Sequence, residues 1–332
     1  MRTIKNTISR IFSMSFHRFF VCINAVHKDA KKSKMSIFFD MIYCYLRYGI
    51  GYLDYLTYGF SYIKHDMRKT YMNMNHNLSL VRKMNNPSYR YMLDDKTEFC
   101  RIFSDMLKRD WLDLRKTDEE TFLGFLHSHK VVFAKPINQF GGKGIIKITS
   151  DDIQLYEKLM EEQKYCIEEA IIQHPKMSLL FPGSVNSLRI TTLLANDTVN
   201  VLYALIRIGG GDSYVDNISS GGMYSSVDEN GVITADAFCD FSIEYFEFHP
   251  ITKTRFKGFE IPFFKEAIAL VKEAALRVKE IRYIGWDVAI TEDGPVLIEG
   301  NTIPGYDMPQ NYRHLGEHKE GLLPKIQNFI RF

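Results

Sequence analysis

The stretch Gly285-Trp286-Asp287-Val288-Ala289-Ile290-Thr291-Glu292-Asp293-Gly294-Pro295-Val296-Leu297-Ile298-Glu299-Gly300-Asn301 decides the reading of this chain. Two apolar runs, Gly285–Thr291 and Pro295–Asn301, flank a polar Glu-Asp-Gly turn, the signature of a β-hairpin. Glu299 and Asn301 are two apart and share one strand face. A three-residue turn, with Gly294 in the left-handed conformation, sets Thr291 against Pro295 and Asp287 against Glu299. A two-residue Asp293-Gly294 turn sets Asp287 against Gly300 and scatters the set. In the first register two carboxylates and an amide converge among apolar neighbours. Buried carboxylates need a cation, and hard oxygen ligands suit Mg²⁺. The bland alternative is a solvent-facing hairpin with incidental acids.

Upstream lie three further pieces. Phe133-Ala134-Lys135-Pro136 ends a strand and leads into Gly141-Gly142-Lys143-Gly144. Glycines let backbone N–H groups close over phosphate oxygens, although no G-x-x-x-x-G-K-[ST] is present. Ile167-Glu168-Glu169-Ala170-Ile171 offers an acid and free backbone for an adenine edge. Asn186-Ser187-Leu188-Arg189-Ile190 opens a hairpin over Leu188–Leu194 and Val199–Ile208, turning at Asn196-Asp197, with Arg207 on the return. Two guanidiniums there suit a transferring phosphoryl group, or else a pairing with surface acids. The polar loop Asp216–Gly222 is a further source of N–H donors.

The rest of the pattern is α+β. Helices are expected over Lys96–Leu107, from a capping box at Thr117-Asp118-Glu119-Glu120 to Leu126, and over Asp151–Lys164 and Phe263–Arg282. Strands are expected at Val131–Lys135, Ile145–Ile148 and Cys166–Ile172. Segment 36–95 reads as helical, broken at Gly49-Ile50-Gly51 and Gly59 and ended by Asn85-Asn86-Pro87. Its aromatic stripe, from Phe38 to Tyr58, reads as helical core in preference to a sugar-stacking face.

Composition sets the bounds. The 332 residues are 45% hydrophobic and 25% charged, a globular balance with room for about two units. Five scattered cysteines without C-x-x-C indicate neither a disulfide framework nor a zinc knuckle, and are read as a reducing, cytoplasmic setting. Residues 1–35 hold eight Lys/Arg and one acid, so the +2 of the whole chain leaves a mildly acidic remainder. That argues against a nucleic-acid-binding body. No apolar run approaches the roughly 18 residues of a membrane span. Within 1–35, Ile4, Ile8, Ile11, Phe12, Phe16, Phe19 and Phe20 form one helical stripe. It is read either as packing on the chain's own helical region, the favoured reading, or as peripheral contact with the inner membrane surface.

These pieces in this order resemble the ATP-grasp superfamily, and more closely the sugar-transfer-associated ATP-grasp family of bacterial exopolysaccharide gene clusters. The likeness runs from Gly51-Tyr52-Leu53-Asp54-Tyr55 through Leu93-Asp94-Asp95-Lys96 to Asn301-Thr302-Ile303-Pro304-Gly305. It implies two α+β subdomains gripping ATP behind a mainly helical N-terminal region. The resulting division is a basic segment 1–35, a helical region 36–125, and an ATP-grasp domain 126–332, split near 172 into nucleotide-gripping and metal-binding parts. By resemblance, Lys96, Lys135 and the flap Gly141, Gly142, Lys143 and Gly144 would contact ATP phosphates. Glu168, Glu169, Ala170 and Ile171 would hold adenine. Arg189 and Arg207 would face the transferring phosphoryl group, and Asp287, Glu299 and Asn301 would ligate one or two Mg²⁺ ions, with Mn²⁺ as a substitute. The ribose-binding acid of many relatives falls here near Asn186 or Ser187. The implied chemistry is an amide-forming ligase, in surface or exopolysaccharide biosynthesis, that joins a small-molecule or saccharide carboxylate to an amine through an acyl phosphate. The rivals are a kinase acting on a hydroxyl and a non-catalytic nucleotide-binding assembly protein.

Overall fold

The computed structural model describes residues 15–330 except 140, 150–151, 153–154, 163 and 212–220. The chain forms two compact units: residues up to Asn77 with Tyr306–Asn328, and Leu78–Gly305 with Phe329–Phe332. Of the basic stripe, Ile4, Ile8, Ile11 and Phe12 lie outside the described residues.

The first unit is helical. Helices α1 (Phe16–Ala30), α2 (Lys34–Tyr48) and α3 (Tyr52–Thr57) follow one another closely. Ser15 caps α1 by accepting from the Arg18 amide, and Ser33 caps α2 by accepting from that of Ser36. Gly49 ends α2 with φ 66°, a conformation that suits glycine. Phe19, Cys22, Ile23 and Val26 bury one side of α1, while Phe16 and Phe20 stay exposed. The aromatic stripe divides likewise: Tyr55 and Tyr58 are core, but Phe39 and Tyr43 face outward. Asp40 and Arg68 pair inside this unit at 2.7 and 2.8 Å, with the Tyr55 hydroxyl donating to Asp40 at 2.6 Å. Gln310, fully buried, ties the returning segment in. Its Nε2 donates to Tyr58 Oη, Met72 O and Tyr306 O, and its Oε1 accepts from the amides of Met72 and Leu322.

The second unit holds two antiparallel sheets. Strands β1 (Trp111–Asp113), β2 (Val131–Pro136), β3 (Ile146–Thr149) and β4 (Tyr165–Glu169) form a four-stranded sheet in the order β1-β4-β2-β3. One face packs on α5 (Glu119–Ser128) and α6 (Leu155–Glu162), burying Phe122, Leu126, Tyr156 and Leu159 against Val132, Ala134, Ile148 and Ile167. The cap of α5 is Asp118, which accepts from the Thr121 amide, whereas Thr117 hydrogen-bonds back to Asp113 O. Upstream, α4 (Lys96–Ile102) stops at Phe103, one turn earlier than the pattern suggests, and a short helix Ser104–Leu107 follows.

The seven-stranded sheet runs β11-β10-β5-β6-β7-β8-β9. Its strands are β5 (Ser187–Ala195), β6 (Thr198–Ile208), β7 (Met223–Val227), β8 (Ala237–Cys239), β9 (Glu244–Phe246), β10 (Tyr283–Thr291) and β11 (Gly294–Asn301). Asn196 and Asp197, at φ 50° and 59°, make the two-residue turn between β5 and β6. Helix α7 (Phe264–Arg277) covers the back of the sheet with Ala267, Val271, Ala274 and Ala275. It ends five residues short of the Arg282 expected from its pattern.

The β10–β11 hairpin corrects one expectation and fulfils its purpose by another route. Thr291 pairs with Gly294, so the loop is the two residues Glu292 and Asp293. Continued without interruption, that register sets Asp287 against Ile298. Instead the pairing shifts between Val288–Leu297 and Asp287–Glu299, with Ile298 as the extra residue of a β-bulge. A one-residue slip exchanges the two faces of a strand. The bulge therefore brings Glu299 and Asn301 to the side that carries Asp287. A bulge disrupts the ladder locally, and buried carbonyls must find partners. Arg109 supplies them, donating from Nη1 to Leu297 O at 2.6 Å and from Nη2 to Ile298 O at 3.4 Å.

Replacing Arg109 with Met removes these donors and leaves Glu168, its other partner, less compensated. The expected loss is about 3–5 kcal/mol of unfolding free energy. Urea melts check it: a change below about 1 kcal/mol would show that the bulge holds without Arg109.

Candidate functional site

The inner faces of the two sheets line one cleft in the second unit. The seven-stranded sheet contributes a row set by register. Glu299 on β11 faces Asp287 on β10, which faces Arg189 on β5. One step to one side of this row Asn301 faces Gly285, and one step to the other Ser187 faces Arg207 on β6. From the other side come Phe133 and Lys135 of β2, with Lys96 at the start of α4. Asp95 fixes that helix start by accepting from the amides of Thr97 (2.9 Å) and Glu98 (3.3 Å). The connection after β2 carries Gly141, Gly142 and Lys143 along the rim.

Gly141, Gly142 and Gly144 sit at φ 71°, 70° and 72°, which ordinary side chains rarely adopt. A Cβ on Gly144 would also lie 3.1 Å from both Gln139 Oε1 and Pro136 Cγ. The turn's backbone therefore depends on its glycines.

Charges in the cleft are mutually compensated. Arg189 grips Asp287 with Nε and with Nη2 at 2.8 Å, and Arg207 Nη1 reaches the same carboxylate at 3.1 Å. Burial pushes the Asp287 carboxyl up, but the charges of Arg189 and then Arg207 outweigh it and hold the group below its ordinary range. Glu299 goes the other way: burial, then the adjacent Asp287 charge, push it up against the opposing pull of Arg189. Asn301 donates its amide nitrogen to Gly285 O and to Glu299 Oε1, both at 3.3 Å. Lys96 donates to Gln139 O, and burial draws its ammonium down, with Glu299 opposing.

The acid read as an adenine contact has a different neighbourhood. Glu168 is 2% exposed, and its Oε2 accepts from Arg109 Nε and Lys135 Nζ, both at 2.8 Å. Burial alone would raise this carboxyl; the charges of Arg109 and Lys135 reverse that and bring it to about 2. Glu168 thus orients Lys135 and anchors Arg109. Of its neighbours, Glu169 and Ile171 line the cleft. The Ala170 amide already donates to Val131 O at 3.2 Å. Ser187 also lines the cleft, whereas Asn186 is fully buried and bonded to Gln173, Met177 O, Phe181 O and the Gly209 amide. Strand alternation separates the two. In the loop read as Asp216–Gly222, residues 216–220 lie outside the described residues.

Sequence reasoning missed Arg109 and the apolar wall formed by Phe133, Ile145, Val185 and Ile298. Ile298 is the bulge residue, and no pattern in the sequence marks a bulge. Arg109 stands in Lys108-Arg109-Asp110, which reads as an ordinary solvated charge run.

A cleft between two antiparallel sheets, with lysines and a glycine turn on one side and a carboxylate–amide row on the other, is the architecture of a nucleotide-gripping protein. The profile described as sugar-transfer associated ATP-grasp matches residues 75–329, and the chain belongs to that family. From about residue 75 it has the α+β ATP-grasp fold, behind a mainly helical N-terminal region. Similar solved structures include the ATP-grasp ligase PsnB complexed with a minimal precursor, at 15% identity over 74% of this chain and 63% of that one, TM-score 0.47. D-alanyl-alanine synthetase A from Vibrio cholerae aligns at 15% identity over 74% and 67%, TM-score 0.43. The D-alanine–D-alanine ligase from Bacillus anthracis aligns at 14% over 76% and 74%, TM-score 0.42. This chain spans a little under two thirds of the PsnB chain. No curated protein matches the sequence.

The Glu168 cluster has a pH signature. A depressed folded-state value gives stability that is complete above the unfolded value of 4.5 and fades as the pH falls toward about 2. The wild-type protein is therefore expected to exceed Glu168→Gln by an amount on the order of 3 kcal/mol at pH 7. The gap should narrow between about pH 4.5 and pH 2. Paired urea melts from pH 7 downward test this, and a gap independent of pH would remove the electrostatic account.

Proposed function

We propose that this chain is an ATP- and Mg²⁺-dependent ligase that joins a carboxylate to an amine, with ADP and phosphate as co-products. One observation carries the reading: Asp287, Glu299 and Asn301 share a single face of the β10–β11 hairpin, in a cleft that also holds Lys96, Lys135, Arg189 and Arg207. The residues fit a divalent cation. Burial, and then the adjacent Asp287 charge, push Glu299 up, and a cation would offset both. Their oxygens with the Asn301 amide oxygen are the hard donors such an ion takes. When bound, Mg²⁺ would neutralise the oxygens of the phosphate chain.

The protein's own residues supply placement and charge. Lys135, held by Glu168, and Lys96, held by Gln139 O, present ammonium groups to the cleft from the four-stranded side. Glycine backbone at 141–144 can close over phosphate oxygens. Phe133, Ile145, Ile171, Val185 and Ile298 give the cleft an apolar lining of the kind a flat base requires. Arg189 and Arg207, parked on Asp287, stand ready to meet charge that develops on a transferring phosphoryl group. A substrate carboxylate would attack the γ-phosphorus, forming an acyl phosphate and releasing ADP. An amine would then displace phosphate and leave the amide. Fixed geometry and water exclusion are the main catalytic sources in this scheme. The family's association with sugar transfer favours a saccharide or surface-polymer precursor as the carboxylate or the amine.

Glu299→Gln is the informative variant, because Asp287 also neutralises two arginines and its loss would disturb the fold. Turnover should fall by about 10²–10³ with little change in melting temperature. Product analysis with candidate carboxylates and amines should yield free phosphate with ADP and a new amide. A phosphorylated hydroxyl as the product would replace the ligase with a kinase. Unimpaired turnover by Glu299→Gln would overturn the metal assignment.

A further inference from the structure

Helix α2 carries two apolar faces. Ile37, Met41 and Cys44 point inward and are buried. Met35, Phe39, Ile42 and Leu46 recur at intervals of four, three and four, which stacks them along one side of the same helix. That side is open, with Met35 65%, Phe39 61% and Leu46 72% exposed. On α1, Phe16 and Phe20 are also exposed. A continuous run of ring contacts joins the two helices: Phe20 to Phe19 at 5.6 Å, Phe19 to Phe38 at 5.8 Å, and Phe38 to Phe39 at 5.4 Å. Single exposed apolar side chains need no explanation, but a joined patch of this kind marks an interaction surface.

The charge around the patch identifies its partner. Arg18, Lys28, Lys31, Lys32, Lys34 and Arg47 are all exposed. The two acids between residues 15 and 48 are engaged elsewhere: Asp29 with Arg313 at 2.8 Å, and Asp40 with Arg68. A second copy of the chain would set this basic rim against itself, since a two-fold contact pairs a surface with its own image. Residues 1–14 contain Arg2, Lys5 and Arg10 and no acid, so they carry the same sign as the rim. An anionic bilayer offers what both features need, acyl chains for the rings and phosphates for the lysines.

We propose that the α1–α2 pair lies on an anionic membrane surface, with Phe16, Phe20, Phe39, Ile42 and Leu46 at the acyl boundary and the basic residues at headgroup level. This is independent of the ligase reading. Among the described residues no helix is long and apolar enough to cross a membrane, so the contact is peripheral. Attachment through several basic residues and a short apolar face is reversible and sensitive to salt.

The test is co-sedimentation of the full-length protein with vesicles of phosphatidylcholine alone and of phosphatidylcholine with about 30% phosphatidylserine. Binding is expected to the anionic vesicles only, and to be reversed by high salt. The double variant Phe39→Ser/Leu46→Ser should reduce the bound fraction at least about tenfold. Its melting temperature should change little, because both side chains are mostly exposed and Phe39 loses only its edge contact with Phe38. Lys31→Glu/Lys34→Glu should weaken binding in the same direction and serves as the second variant. The proposal falls if anionic vesicles fail to bind the native protein, or if both double variants bind as well as it does. It also falls if sedimentation equilibrium shows a native dimer that Phe39→Ser/Leu46→Ser converts to monomer.

Discussion

The guanidinium of Arg109 is the group on which the second unit turns. It donates to Glu168 of the four-stranded sheet and to the carbonyls of Leu297 and Ile298 at the bulge of the seven-stranded one. One side chain therefore fixes the position of Lys135, through Glu168, and supports the register that collects Asp287, Glu299 and Asn301. A rigid planar donor with five N–H groups can serve both sheets at once; an ammonium on a flexible stem could not hold the same fork.

That constraint explains why the site has its particular charge balance. Asp287 meets two arginines, Glu168 meets an arginine and a lysine, and Glu299 meets the carboxylate of Asp287. Groups whose values are pushed apart within one cleft are a common mark of functional sites. Here the raised member, Glu299, lies beside Asp287, and the lowered members, Asp287 and Glu168, are those that hold cationic side chains.

Much of this was legible in the sequence, for specific reasons. Apolar runs on either side of turn residues located β5, β6, β10 and β11, and the Asn196-Asp197 turn fixed one hairpin register. Asp287, Glu299 and Asn301 were grouped correctly on one face, although the turn assumed for them was one residue too long and the bulge at Ile298 made up the difference. Local sequence cannot reveal that compensation, because it depends on Arg109, nearly 190 residues away. The neighbourhood of Glu168 was hidden for a related reason. An acid on a strand next to free backbone looks like a base-binding edge, and only the tertiary approach of Arg109 and Lys135 turns it inward. The alternation separating Asn186 from Ser187 was readable in principle, but required knowing where β5 begins. Helix ends were overextended at α4, α6 and α7, where no glycine or proline marks the stop. In the helical unit, the outward turn of Phe39 and Tyr43 contradicts the rule that aromatic stripes are core, and the exception is itself informative.

The burial of Gln310 against Met72 and Tyr58 has a consequence for how the chain is made. Those partners are separated by 238 and 252 residues. The helical unit is thus built from two segments, up to Asn77 and Tyr306–Asn328, that are far apart in sequence. Closing so long a loop carries an entropic penalty that grows only slowly with length, but it cannot begin before the last segment exists. At about 5–20 residues per second, synthesis of the intervening segment takes on the order of ten to fifty seconds. During that interval residues 78–305 can fold as a unit, while the helices ahead of them wait for a C-terminal strap to complete their core. Nascent chains should therefore pass through a state with a formed cleft and an open, aromatic-rich set of amino-terminal helices, a natural client for a holding chaperone.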